Sequence, residues 1–235
     1  MKPVAIFRHS PTEGPGYFAT FLDAHRIPWR LVKVDAGERA PASPREFSGL
    51  AFMGGPMSVN DDLPWIRDVL GLINSAADAD IPVLGHCLGG QLMSKALGGV
   101  VTKNPVKELG WGRTEVAGNT TAHKWFGDIQ SFDSFHWHGE TFSLPQDSIH
   151  LLSSAHCANQ AFAVGKHLAL QCHVEMTEPM IHEWCENGAA ELAANASSPA
   201  VQSAQVMQAQ MRDKLPELHR VATQLYRHWL QGLAK

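Results

Sequence analysis

Residues 82–93 read PVLGHCLGGQLM, an apolar run that gives way to glycine, histidine, cysteine and two more glycines. Pro82 to Leu84 is a short strand by its content, and Leu88 to Leu97 is a helix stopped by Gly98 and Gly99. Cys87 therefore falls on a sharp strand-to-helix turn. In such a turn, glycines two residues on either side relieve crowding around an exposed nucleophile, and Gly85 and Gly89 hold those positions. A free cysteine is also a good small buried hydrophobe. The rest of the chain decides between the two readings.

Toward the N-terminus, strands alternate with helices. Val4–Phe7, Leu31–Val34 and Leu50–Met53 are short apolar strands. Tyr17, Phe18, Phe21 and Leu22 recur at helical spacing, as do Trp65, Ile66, Val69, Leu70 and Ile73 after Pro64. Toward the C-terminus, strand-like runs follow one another at Arg113–Val116, Ser131–Trp137, Ile149–Ser153 and Leu168–His173. Residues 178–235 are helical, broken at Ser198-Pro199 and at Pro216. The expected fold is α/β: a mostly parallel open sheet with helices on both faces, an appended antiparallel hairpin region and C-terminal helices. At 235 residues we expect one domain over 1–235, with 178–235 as a helical C-terminal extension. Leu218, Val221, Leu225, Trp229 and Leu233 then form a helix face docked on that domain.

Composition narrows the function classes. With 44% hydrophobic and 18% charged residues and a net charge of −4, the chain has no basic run for nucleic acid or anionic lipid. No apolar stretch reaches the roughly 20 residues of a membrane helix. The opening MKPVAIFRHS reads as a first strand, not a signal peptide. Cys87, Cys157, Cys172 and Cys185 show no CxxC spacing, which suggests reduced thiols and a cytoplasmic setting.

The chemistry follows from the turn. Unpaired N–H groups at a helix start favour a thiolate. The N–H of Leu88 points at an oxyanion formed on a carbonyl that Cys87 attacks. Gln91, one turn further on, leans back over the thiol because helical side chains tilt toward the N-terminus. A base is supplied by His173-Val174-Glu175 near a strand end, where residues two apart share a face and a carboxylate can orient the imidazole. Cys172 faces the other way and packs in the core, and His86 likewise turns from the thiol toward packing or hydrogen bonding.

The pattern Gly85, Cys87, Gly89, Gln91 (GxCxGxQ) resembles the class I glutamine amidotransferases, whose cysteine removes the side-chain amide of glutamine. His173 and Glu175 match the family's HPE segment, with valine in place of proline. Met53-Gly54-Gly55-Pro56 is similar to the loop that supplies the second oxyanion N–H, which the resemblance carries to Gly55. His138-Gly139-Glu140 looks like the HGD-type segment of the glutaminase domain of GMP synthases. The resemblance therefore implies that His138, Gly139, Glu140, Met57 and Gln91 hold the amino-acid end of the substrate. Trp137 either lines that pocket or packs in the core. The implied reaction is glutamine hydrolysis by a Cys87-His173-Glu175 set, with no metal or organic cofactor.

In such families the ammonia passes to a synthase. The 235 residues hold no GxxxxGK or SGG-type loop, so the expected acceptor is a separate partner. Three alternatives stand beside this reading. The first is a stand-alone γ-glutamyl peptidase, which would use the same machinery. The second is an idle binding or regulatory module that keeps only the fold. The third is a metal site from His136, His138 and Glu140 with His173 and Glu175, which would leave the glycine-flanked cysteine and Gln91 unexplained.

Overall fold

The computed structural model describes residues 1–234. Among them, nine strands form one sheet. β1 (Val4–Arg8), β2 (Trp29–Lys33), β3 (Gly49–Phe52) and β4 (Val83–His86) are parallel in the order β2-β1-β3-β4. The sheet continues through β9 (His167–Leu170), β8 (Ala161–Val164), β7 (Ile149–Ser154), β5 (Val101–Val116) and β6 (Ser131–Phe142). β9 runs parallel to β4 and antiparallel to β8, so it joins the parallel half to an antiparallel half.

Alternation along each central strand sends side chains to two separate layers. In β1, Val4 and Ile6 enter one layer and Ala5 and Phe7 the other, all fully buried. The first layer is covered by α1 (Gly16–Ala24), α4 (Thr120–Phe126), α5 (Glu178–Asn187), α6 (Ala189–Ala194) and α7 (Ala204–Leu230). The second is covered by α2 (Pro64–Asp78) and α3 (Leu88–Ala96). Burial on both faces explains why these strands are apolar throughout. No described helix is long and apolar enough to cross a membrane.

Several local expectations are corrected. β5 begins at Val101, twelve residues before the expected Arg113, because an irregularity between Lys103 and Glu108 carries polar residues and Pro105 through the strand. The four-residue β8 was not expected. The last parallel strand stops at Leu170, so His173 and Glu175 lie beyond it and the strand-face argument does not place them. Instead, His173 pairs its backbone with Phe135 of β6.

Pro216 does not break the last helix, which runs unbroken from Ala204 to Leu230. The proline is exposed, so the hydrogen bond it deletes lies on the solvent side. Leu215, Leu218, Val221, Leu225 and Trp229 hold the inner face in the core across that point.

Candidate active site

Cys87 lies between β4 and α3 with φ 49° and ψ −107°, a left-handed backbone that a non-glycine residue rarely adopts. Such a residue costs on the order of 1–3 kcal/mol, which the surrounding packing must offset. Two flanking glycines make the turn possible. A Cβ on Gly89 would strike the carbonyl of Phe52 in β3, and one on Gly85 would strike the backbone of Gly89. The Cys87 N–H donates to the Leu170 carbonyl at 2.8 Å, and its carbonyl accepts from Gln91 N–H at 2.9 Å. Both bonds lock the turn. The cysteine is 6% exposed, enough to meet the adjoining cavity.

The C-terminal ends of β1, β3, β4 and β9 converge here, as expected of ligand sites in open α/β sheets. Just past β9, His173 Nδ1 donates to Glu175 Oε1 at 2.7 Å, and both residues are buried. Burial opposes a charged imidazole. Glu175, by charge and through its hydrogen bond, and Cys87, by charge, overcome it and hold the His173 pKa well above its ordinary value. Burial likewise opposes the Glu175 carboxylate, but His86 and His173 draw its pKa down to about 2. His86, expected to turn from the thiol, does so: its Nε2 lies 3.1 Å from the Tyr226 hydroxyl and 3.7 Å from Glu175 Oε2. It therefore backs the carboxylate from the far side. Trp184 meets the His173 ring edge to face at 4.8 Å.

The Leu88 N–H opens α3 and has no intrahelical acceptor. Gly55 packs against the Leu88 side chain, close enough that a Cβ on it would lie 2.7 Å from Leu88 Cδ2. His9 accounts for the placement of this loop: its Nδ1 donates to the Met53 carbonyl at 3.0 Å, and its ring stacks on Trp65.

Gly55, Met57, Cys87, Gln91, Trp137, His138, Gly139 and Glu140 all border one cavity of about 880 Å³. Two of them differ from expectation. Gln91 does not reach the thiol itself. Its Nε2 donates to Gln171 Oε1 at 3.1 Å, and Gln171 Nε2 contacts Cys87 Sγ at 3.5 Å. His138 borders the cavity, but both ring nitrogens are engaged, Nδ1 with the Glu140 carbonyl at 3.0 Å and Nε2 with Glu108 at 3.1 Å. That ring braces the loop. Glu140 accepts from Ser58 at 3.1 Å. Trp137 lines the cavity and also donates from Nε1 to Glu191 Oε2 at 2.9 Å.

The metal alternative is redrawn. Glu108, not Glu140, completes the group with His136 and His138, their ligand atoms lying within 4.8 Å of one another. These donors are already spent. Gln160 Nε2 donates to Glu108 at 2.8 Å and lies 3.3 and 3.4 Å from the two rings, and Ser154 donates to Glu108 at 2.8 Å. The cluster therefore fits a hydrogen-bonded brace under β5 and β6 better than a metal seat.

Sequence reasoning did not find Glu13, His9, Gln171 or Glu108. Gln171 had a signal, as a polar residue inside the apolar run LALQC. His9 had one too, as a polar residue directly after a buried strand, while Glu13 lies five residues past that strand's end.

Burial lowers His9 and His136 to about 4 each. Both lie below the roughly 6.5 of an unfolded histidine, so unfolding takes up protons and stability falls as pH drops from about 6.5 toward 4. His173 and Glu13 are shifted the other way: the His173 contribution, complete below about 6.5, is lost as pH rises through its folded value, and Glu13, raised to about 7, offsets part of the two histidines' slope between about 4.5 and 7. Denaturant titrations should therefore show a stability maximum near pH 6.5. On the acid side each buried histidine should contribute a slope of up to about 1.4 kcal/mol per pH unit. A flat profile from pH 6.5 to 4.5 would contradict this account.

The geometry can be set beside known proteins. The family model described as "Glutamine amidotransferase class-I" matches residues 24–191. The glutamine amidotransferase-like protein YfeJ of Salmonella typhimurium is 30% identical over 220 residues, covering 88% of this chain and 91% of its own. A GMP synthase (glutamine-hydrolyzing) of Bacillus pumilus is 31% identical over 152 residues, and the match spans 63% of this chain but only 26% of that protein. The crystal structure of a glutamine amido transferase from Methylobacillus flagellatus superposes with a TM-score of 0.97 at 43% identity, covering 100% of this chain and 96% of the other. A glutamine amidotransferase structure from Thermotoga maritima shares the fold, with a TM-score of 0.88 at 24% identity over 97% of this chain and 98% of that one. With a turn built around Cys87, a family model over most of the chain and a relative matched nearly end to end, the chain belongs to the class-I glutamine amidotransferase family.

Proposed function

We propose that this chain hydrolyses the side-chain amide of glutamine to glutamate and ammonia, with Cys87 as nucleophile. The observation that carries the reading is the buried His173–Glu175 hydrogen bond, which adjoins Cys87 on a strained, glycine-flanked turn. Cys87 attacks the amide carbon, and the N–H groups of Gly55 and Leu88 receive the negative oxygen. His173 gives its proton to the nitrogen as the C–N bond breaks and ammonia leaves. It then takes a proton from the water that cleaves the thioester and frees Cys87. Glu175 fixes the imidazole tautomer and orientation. Met57, Gln91 and Gly139 border the place where the glutamate head would sit, and Glu140 is the carboxylate available there to an ammonium group. Gln91 would act through Gln171, and His138 through Glu140. No metal or organic cofactor enters the scheme.

The ammonia would pass to a synthase on a separate protein. A γ-glutamyl hydrolase is the second reading, and the cavity favours it: about 880 Å³ is the size of a site for a drug-sized ligand, larger than an amino acid needs. Measuring kcat/KM on glutamine and on a γ-glutamyl dipeptide with the pure chain decides between them. An amidotransferase subunit should turn over glutamine slowly, respond to a partner and reject the dipeptide. Faster cleavage of the dipeptide without a partner would favour the hydrolase, and no turnover of either would favour an idle module.

A further inference from the structure

Glu13 is used by none of the chemistry above, yet its carboxyl lies beside it. Gly54 leaves the space: a Cβ there would strike Glu13 Oε2 and come within 3.3 Å of His173 Cε1. The carboxyl and the imidazole edge therefore flank one spot above the oxyanion loop, and Glu13 borders the same cavity as Cys87. The loop that carries Glu13 is fastened at both ends. Glu13 N–H donates to the Ser10 carbonyl at 3.1 Å, Trp184 Nε1 donates to the Thr12 carbonyl at 2.8 Å, and Tyr17 N–H donates to the Glu175 carbonyl at 2.7 Å. Trp184 is the residue that meets the His173 ring, so one side chain positions both groups.

Glu13 Oε1 and Oε2 make no hydrogen bond or ion pair among the described residues. Burial raises this carboxyl to about 7, against the opposing pull of His173, with Glu175 pushing the same way as burial. Glu13 is half-buried and lines the cavity, so its carboxyl is open to an N–H donor or a cation of a bound substrate.

We propose that Glu13 forms the leaving-group subsite, accepting a hydrogen bond from the departing nitrogen and favouring leaving groups that are ammonia or positively charged amines over those that carry a carboxylate. This rests on the hydrolytic reading above and deepens it. The glutamate head would lie toward Glu140 and Met57, which border the same cavity. As the C–N bond breaks, the nitrogen keeps the bonding electrons and takes the proton of His173. Glu13 then faces the nitrogen at its most basic and most strongly donating stage. The substrate class so selected is glutamine and γ-glutamyl amines, not γ-glutamyl amino acids.

The test uses three substrates with one γ-glutamyl head and leaving groups of different charge: γ-glutamyl-ethylenediamine (cationic), γ-glutamyl-ethylamide (neutral) and γ-glutamylglycine (anionic). Wild-type kcat/KM should fall in that order, by at least tenfold from first to last. Glu13→Gln should cut the cationic-to-anionic ratio by about tenfold or more. The wild-type order alone decides the matter if the variant does not fold. Preference for γ-glutamylglycine in the wild type, or a ratio that Glu13→Gln leaves unmoved, would overturn the subsite. Turnover of glutamine with an unmoved ratio sinks this inference alone, whereas no turnover of any γ-glutamyl compound sinks the hydrolytic reading together with it.

Discussion

Cys87→Ala should abolish hydrolysis of every γ-glutamyl compound, leaving a rate indistinguishable from buffer, while the protein remains folded. Removing one sulfur from a nearly buried site costs little packing, and alanine occupies the same volume up to Cβ. The chemistry has no substitute. Cys172 is fully buried in the first core layer, with its thiol pushed up to about 12 by burial. Burial also raises Cys157 and Cys185. Turnover by Cys87→Ala above a few percent of wild type would show that another group attacks the carbonyl.

His173→Ala should lower kcat by roughly 10²–10⁴-fold, the usual contribution of positioned general acid–base catalysis. The loss combines the thiolate's counter-ion with the proton donor for the leaving nitrogen. Glu175→Gln should cost less than the ~10⁴-fold of the comparable change in a serine triad, because a thiol at a helix start is ionised more readily than a serine. It carries a second signature. Glu175 is the largest influence raising the His173 pKa, so its neutralisation should move the basic limb of the pH–rate profile to lower pH. If His173→Ala retained most of the wild-type kcat, or Glu175→Gln left that limb in place, the proposed proton path would be wrong.

The turn at Cys87 was legible because it is local: the apolar run, the cysteine and the flanking glycines occupy eight residues, 82–89, and the steric need for each glycine follows from their spacing. The parallel half of the sheet was legible for a similar reason, since strands buried on both faces carry continuous apolar runs at βα spacing. His173 and Glu175 were picked out by their types and by resemblance, but the strand geometry used to relate them does not exist. The strand ends at Leu170, and a backbone pairing with Phe135, 38 residues earlier, sets their position. No periodicity reports a contact of that separation.

The misplaced details share this cause. Gln91 was expected at the thiol because helical tilt points there. Gln171, just past the end of β9, stands between them. His138 and Glu140 looked like equivalents along one strand face. Glu108 across the β5–β6 pairing claims the histidine and leaves the glutamate to Ser58. Pro216 was read by its local rule, which yields to tertiary packing because the missing hydrogen bond faces solvent.

The most direct test of the central claim is to trap the covalent step. The pure chain should be incubated with an electrophilic glutamine analogue and digested for peptide mass spectrometry, with excess glutamine as competitor. The account predicts one adduct per chain, on Cys87, and its suppression by glutamine. Modification chiefly at Cys157, Cys172 or Cys185, or labelling of Cys87 that glutamine does not slow, would contradict it.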